Sequence, residues 1–146
     1  MTNTTDTPWE TEPDHVMFMS EAGYICEIWR HPTLKHLCGY IFIPFGHPDC
    51  GKDYNELYGY EDWADGEGPA APAVHGGWTF STDGGDEDGG RYTKFGFDCG
   101  HAGDLSPGLR EITGEREDLG EVYRDIAFVT EQLENAAKQF KERSKQ

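Results

Sequence analysis

The sequence predicts an α+β fold, in which an antiparallel sheet of four to five strands carries one long C-terminal helix on one face. Pairs of β-branched and aromatic runs at hairpin spacing predict the sheet. One segment near the end of the chain has apolar residues at helical spacing and predicts the helix. The 19 glycines and 8 prolines among 146 residues indicate many turns, and the length is that of a single domain.

The N-terminal segment is predicted to lack regular structure. Residues 1–14 are polar, threonine-rich and acidic, and we expect a disordered tail ahead of a single α+β domain of residues 15–146. The segment has no basic start and no apolar run, which is unlike a signal peptide. No stretch approaches the roughly 20 apolar residues that cross a bilayer, so no membrane partner is expected.

The clearest strand signal is a hairpin near the start of the domain. Residues 24–30 (YICEIWR) and 37–43 (LCGYIFI) are rich in β-branched and aromatic residues, and a short connection with a proline joins them. A turn centred near Pro32 would place Cys26 opposite Cys38.

The middle of the chain predicts a second hairpin after an irregular stretch. Residues 45–72 are irregular apart from one short helical turn at 53–58. Strands are predicted at 73–81 (AVHGGWTFS) and 92–98 (YTKFGFD). The acid- and glycine-rich run between these strands predicts an exposed loop.

The C-terminal segment, residues 119–145, predicts the long helix. Asp118 with Glu121 three residues later resembles a capping signature. The apolar positions of this helix are spaced alternately by four and three residues and form one stripe: Val122, Ile126, Val129, Leu133, Ala136 and Phe140. The stripe favours packing against the sheet over binding a partner, and it leaves both a monomer and a homodimer open.

The charge excludes one broad class of function. Acids outnumber bases 28 to 12, which gives a net charge of -16. A surface this negative repels DNA, RNA and anionic lipid, so direct nucleic-acid binding is not expected. Much of the acidity falls in the predicted tail and the acidic loop, and this placement favours solubility over a rigid imitation of DNA. In a cytosolic setting the four cysteines are interpreted first as thiols or ligands and second as disulfides.

Candidate functional residues lie where predicted strands meet glycine-rich loops. Polar side chains can converge there, and glycine lets the backbone approach a ligand. The candidate ligand-binding residues are His47, His75, Gly76, Gly77, Asp98, His101 and Asp104. Four of them are also candidate metal ligands, with zinc or manganese as the candidate ions: His75, Asp98, His101 and Asp104.

Two chemistries and a structural alternative follow from this set. A bound metal would activate a water, with a spare aspartate as the general base. Cys99 would serve as a nucleophile only beside a histidine and with a lowered pKa, which its acidic surroundings oppose. In the structural alternative, Asp98 and Asp104 cap loop amides, Cys99 is a buried hydrophobe, and His101 bonds a backbone carbonyl.

Four strings of this sequence resemble a family of small proteins from tailed phages, prophages and related viruses. They are GHPDCGK, VHGGWTF, GFDCGHAGD and the YRD…V…E…L…A pattern of the last helix, and together they cover roughly residues 47–140. The resemblance implies a viral accessory protein that acts in the host cytoplasm. It implies a setting and no mechanism.

Three functions remain open for a protein in that setting. In the first, the histidine and aspartate residues line a pocket for a small polar or nucleotide-like ligand, including a host defence signal. In the second, the same residues form a small metal-dependent hydrolase. In the third, the acidic surface binds a host protein by imitating DNA. Whether the protein is an enzyme is left open by the sequence.

Overall fold

The computed structural model describes residues 8–57, 72–85, 90–100, 103–113 and 121–145. It confirms the α+β class. The strands are β1 (His15–Met19), β2 (Ile25–Arg30), β3 (Leu37–Pro44), β4 (Phe80–Gly85) and β5 (Arg91–Asp98). The helices are α1 (Tyr54–Leu57), α2 (Pro107–Thr113) and α3 (Ile126–Arg143).

The five strands form one antiparallel sheet in the order β1-β2-β3-β5-β4. The β2–β3 and β4–β5 hairpins lie side by side through the β3–β5 pair, and β3 is the central strand. Helix α3 packs across β3 and β2 on one face, called here the inner face. No helix in the described part of the chain is long and apolar enough to cross a membrane.

The register of the first hairpin differs from the prediction. Cys26 pairs with Ile41, and the predicted pairing with Cys38 is wrong. The connection is a six-residue loop over residues 31–36, closed by hydrogen bonds between its own backbone groups. Lys35 has a left-handed backbone (φ 70°) that turns the chain into β3. The centre of the turn therefore lies further along the chain than the proline suggested.

The second hairpin is also displaced along the chain. Strand β4 begins at Phe80, because Gly76 and Gly77 take positive φ angles of 71° and 84° and form a turn inside the predicted strand. The strand then continues into the predicted acidic loop, where Asp83 accepts a hydrogen bond from Thr93 Oγ1 at 2.7 Å. Residues 86–89 lie outside the described chain.

Residues 8–14 are ordered against the domain, unlike the predicted tail. They begin with a 3-10 turn, Pro8–Glu10. The Glu12 carboxylate then accepts hydrogen bonds from the Tyr123 hydroxyl at 2.6 Å and from the Ile126 amide at 2.8 Å. The acidic residue therefore anchors the segment to the start of α3. Residues 1–7 lie outside the described chain.

Helix α3 is shorter than predicted at its beginning. Its N-cap is Asp125, whose carboxylate accepts from the Phe128 amide at 2.8 Å. The predicted cap at Asp118 lies outside the described residues. Val122 belongs to an extended segment before the helix, where its backbone forms a bridge with Asp104. The rest of the predicted stripe faces the sheet, with Val129, Leu133, Ala136, Ala137 and Phe140 fully buried.

Gly39 of β3 lies where the sheet packs closely against the helix. A methyl group there would lie 2.7 Å from Phe97 Cε1 and 2.9 Å from Val129 Cγ1. We expect Gly39→Ala to lower the free energy of unfolding by about 1–3 kcal/mol, because the core has no room for the methyl group. Urea denaturation measures the loss. Phe97→Leu should recover part of it in the double variant, and strictly additive losses would contradict this explanation.

Candidate functional site

Two side chains from separate parts of the chain, His75 and Arg124, contact the buried carboxylate of Asp104. His75 Nε2 lies 2.8 Å from each Asp104 oxygen. Arg124 Nε donates to Asp104 Oδ1 at 2.9 Å. The Asp104 side chain is 1% exposed, whereas those of His75 and Arg124 are 21% and 27% exposed. The arrangement, called here the His75 cluster, presents an imidazole and a guanidinium at the surface over one buried negative charge.

The loop before β4 fixes the position of His75. The His75 amide donates to Gln132 Oε1 of α3 at 2.7 Å. Its ring meets the Phe128 ring edge-on, with 5.1 Å between centroids. Trp78 holds the same loop by donating from Nε1 to the Pro72 carbonyl at 2.8 Å. The backbone and the ring of His75 are thus both oriented by the helix.

A short parallel bridge brings Asp104 beside Arg124. Leu105 donates to the Val122 carbonyl at 2.8 Å, and the Val122 amide donates to the Gly103 carbonyl at 2.9 Å. The Arg124 guanidinium also lies over the Phe128 ring, 4.9 Å from its centroid. Phe128 therefore supports both surface members of the cluster.

The geometry assigns a hydrogen-bonding role to each side chain. A carboxylate only accepts, so His75 donates from Nε2, and in the neutral ring Nδ1 is then the acceptor. A carboxylate that orients a histidine in this way is a common arrangement in acid–base and ligand-binding sites. Arg124 directs Nε to Asp104, and its Nη groups find no acceptor among the described residues. The cluster can therefore bind an anionic or polar group.

His47, a predicted site residue, is placed elsewhere and has a structural role. Its Nε2 donates to the Phe140 carbonyl at 2.7 Å, and its Nδ1 accepts from the Asp49 amide at 2.9 Å. Phe140 lies eight residues beyond Gln132 on α3, which is about 12 Å along the helix axis. His47 therefore fastens the loop after β3 to the end of α3 and does not join His75.

The remaining predicted residues divide between the cluster and its surroundings. His75 and Gly76 are the central residues of a turn that the Gly77 amide closes by donating to the Val74 carbonyl at 2.9 Å. Asp98 ends β5, where it accepts from the Gly100 amide at 2.9 Å, as the structural alternative expects. His101 lies outside the described residues. Among the described residues, no group of three or more histidine, cysteine, aspartate and glutamate side chains is placed to hold a metal.

Cys99 matches the structural alternative and not the nucleophile. Its side chain is buried in the core. Burial raises the pKa of the Cys99 thiol, and the nearby Asp104 carboxylate raises it further. The thiolate that a nucleophile needs is therefore disfavoured at neutral pH.

Sequence reasoning missed Arg124, Phe128 and Gln132. Arg124 stands in the YRD string just before the cap of α3, and that string was the one available signal. The contact with Asp104 depends on a bridge between distant segments, and such a pairing leaves no local pattern.

Comparison of the chain with known protein families, curated proteins and solved structures finds no match.

Proposed function

We propose that this protein is a viral accessory protein that binds a small, anionic, nucleotide-like ligand at the His75 cluster. One observation carries the proposal. The three strings VHGGWTF, GFDCGHAGD and YRD are far apart in the sequence, yet they supply His75, Asp104 and Arg124 to one contact. The strings that carry the family resemblance thus converge on the cluster.

The charges of the cluster favour an anion as the ligand. Asp104 is buried and already bonded by both partners, so it contributes orientation and not a surface charge. Arg124 offers a planar set of donors suited to phosphate or carboxylate. His75, whose ring packs on the same Phe128 support, adds Nδ1 as an acceptor for a polar group of the ligand. In a chain of net charge -16, the Arg124 guanidinium forms a local exception to the acidic surface.

Binding is favoured over hydrolysis by what surrounds the cluster. Cys99 is buried with a raised pKa, so it is a poor nucleophile. The described residues bring together only His75 and Asp104 of the four predicted metal ligands. The metal-dependent hydrolase is a second proposal that rests on His101, and it requires stoichiometric zinc or manganese on the purified protein.

Calorimetric titration of the full chain tests the binding proposal. The probes are inorganic phosphate, adenosine monophosphate, a linear dinucleotide and a cyclic dinucleotide. We expect at least one nucleotide to bind. Arg124→Ala should weaken this binding by about 10- to 100-fold, because a hydrogen bond between charged groups is lost. His75→Ala should weaken it by about 3- to 10-fold, because a neutral acceptor is lost. Arg91→Ala, a change of an exposed arginine on β5, is the matched control.

Two results would count against this proposal. One is the absence of binding by all four probes at millimolar concentration. The other is an equal nucleotide affinity of the Arg124→Ala, His75→Ala and Arg91→Ala variants. Inhibition of a host DNA-binding protein that survives both substitutions would instead support the third alternative, the acidic imitation of DNA.

A further inference from the structure

The sheet face opposite α3, called here the outer face, is largely apolar and exposed. Its side chains alternate with those of the inner face along every strand. Met19 of β1 is 61% exposed and Trp29 of β2 is 42% exposed. Met17, Ile25 and Phe80 are exposed to similar extents. An apolar surface of this continuity marks an interaction site.

Glycines on two strands leave room for tyrosine rings on this face. A methyl group on Gly96 would lie 2.5 Å from Tyr40 Cδ1, and one on Gly84 would lie 2.5 Å from Tyr92 Oη. Each tyrosine ring therefore covers a glycine of the neighbouring strand. Tyr40 meets Phe80 edge-on at 84°, and Phe42 meets Tyr92 edge-on at 69°. The resulting aromatic layer can interdigitate with another sheet face.

The outer face is nearly neutral, in contrast to the whole chain. Its strand residues include two acids, Glu27 and Asp98, out of the 28 in the sequence. Glu27 is compensated by Lys94 Nζ at 2.8 Å and by His15 Nε2 at 2.7 Å. Lys94 in turn lies over the Tyr40 ring, 4.4 Å from its centroid. A strongly acidic protein thus presents one face that would not repel a second copy.

The strand register makes the charges of this face self-complementary. One row of paired residues crosses the middle of this face on all five strands and is called here the central row: Met17, Glu27, Tyr40, Gly96 and Phe80. Lys94 and Asp98 lie on β5, two residues to either side of Gly96. A two-fold axis along the central row therefore places Lys94 of one copy opposite Asp98 of the other, twice per dimer.

The shape of the face is self-complementary about the same axis. A groove of about 440 Å³ lies on one side of the central row, and it is lined in part by Met19, Ile25, Phe42 and Tyr92. Trp29 lies four residues from Ile25 on β2, on the other side of that row. The two-fold rotation brings Trp29 of each copy to the groove of the other.

From this register we infer that the outer face is the interface of a homodimer, formed by face-to-face packing of two sheets. Packed sheets lie about 10 Å apart, a distance that interdigitating side chains fill. In this arrangement α3, with its exposed Glu131 and Glu142, lies on the far side of each copy. The acidic surfaces of the two copies then repel each other only over a long distance, and salt screens this repulsion.

Sedimentation equilibrium of the full chain over a range of protein and salt concentrations tests the dimer. We expect a dimer whose association strengthens as salt rises. Met17→Glu should weaken association by about 100-fold or more, because it places a charge in the central row. Ile112→Glu, on the exposed side of α2, should leave association unchanged. A chain that stays monomeric throughout, or a dimer indifferent to Met17→Glu, overturns the inference.

A mixing experiment tests the register itself. Asp98→Lys places two lysines opposite each other in its own homodimer, and Lys94→Glu places two acids there. We expect each variant alone to associate about tenfold or more weakly, whereas an equimolar mixture should recover the dimer, because both contacts become attractive. Circular dichroism confirms that each variant is folded. A mixture as weak as its two components would overturn the two-fold register.

Discussion

Replacement of Arg143 by methionine is expected to lower the free energy of unfolding by about 3–5 kcal/mol. Arg143 donates to Asp49 from Nε at 2.6 Å and from Nη2 at 2.8 Å. Lys52 Nζ adds a third bond to the same carboxylate at 2.9 Å. The Asp49 side chain is 0% exposed. Loss of the arginine leaves the Asp49 charge buried with Lys52 as its remaining cationic partner.

The same network makes stability depend on pH. Burial acts to raise the pKa of Asp49, but hydrogen bonds from Arg143 and Lys52 outweigh it and hold the pKa below its ordinary value of 3.8. Folding therefore favours the ionised form, whose contribution is complete above the unfolded pKa. It is lost as pH falls through that value towards the lower folded pKa. The Arg143→Met variant should lose less stability than the natural chain over that acidic range.

Urea denaturation at neutral and acidic pH measures both effects. Lys145→Met is the matched control, because it removes an exposed pair with Glu142 and should change the free energy of unfolding by less than about 1 kcal/mol. Asp49→Asn combined with Arg143→Met should be more stable than Arg143→Met alone, since the uncompensated charge is gone. A double variant that is less stable than the single one would contradict the account.

Replacement of Asp104 by alanine is expected to abolish ligand binding at the His75 cluster and to lower the free energy of unfolding by about 1–3 kcal/mol. The carboxylate holds both His75 and Arg124 in place. These two side chains are partly exposed and regain water when Asp104 is lost. The expected stability loss is therefore smaller than at Arg143, whereas the effect on binding is larger than for either surface residue alone.

Titration calorimetry and urea denaturation of the same variant separate the two effects. Asp104→Asn is the control, because it keeps the shape and one acceptor oxygen while removing the charge. It should retain most of the stability and bind less tightly than the natural chain. If Asp104→Ala bound the ligand with the affinity of the natural chain, the His75 cluster would not be the binding site. An unchanged free energy of unfolding would show that the carboxylate is not needed for folding.

Local patterns determined the elements that depend on neighbouring residues. The β-branched and aromatic runs specified β2 and β3, since alternating side chains must fill one pleated face. The apolar spacing specified α3 and its inward side, from Val129 to Phe140. These features are periodic, so the sequence predicts them without knowledge of the fold.

Element boundaries and registers depended on turns that the sequence signalled weakly. The first hairpin is set by the left-handed backbone at Lys35, a residue that rarely adopts it. The start of β4 is set by Gly76 and Gly77, which the strand pattern around them concealed. The start of α3 is set by Asp125, which satisfies the first turn in place of the predicted cap.

The sequence by itself determined the fold class, the acidic charge and two residues of the cluster, His75 and Asp104. Only the tertiary structure decided that Arg124 completes that cluster and that His47 does not belong to it. It also decided that Asp98 and Lys94 share a face with the exposed Trp29. The physical reason is the same in each case. Strand pairing and helix packing choose the neighbours of a side chain at long sequence separation, whereas periodicity and composition report only its immediate surroundings.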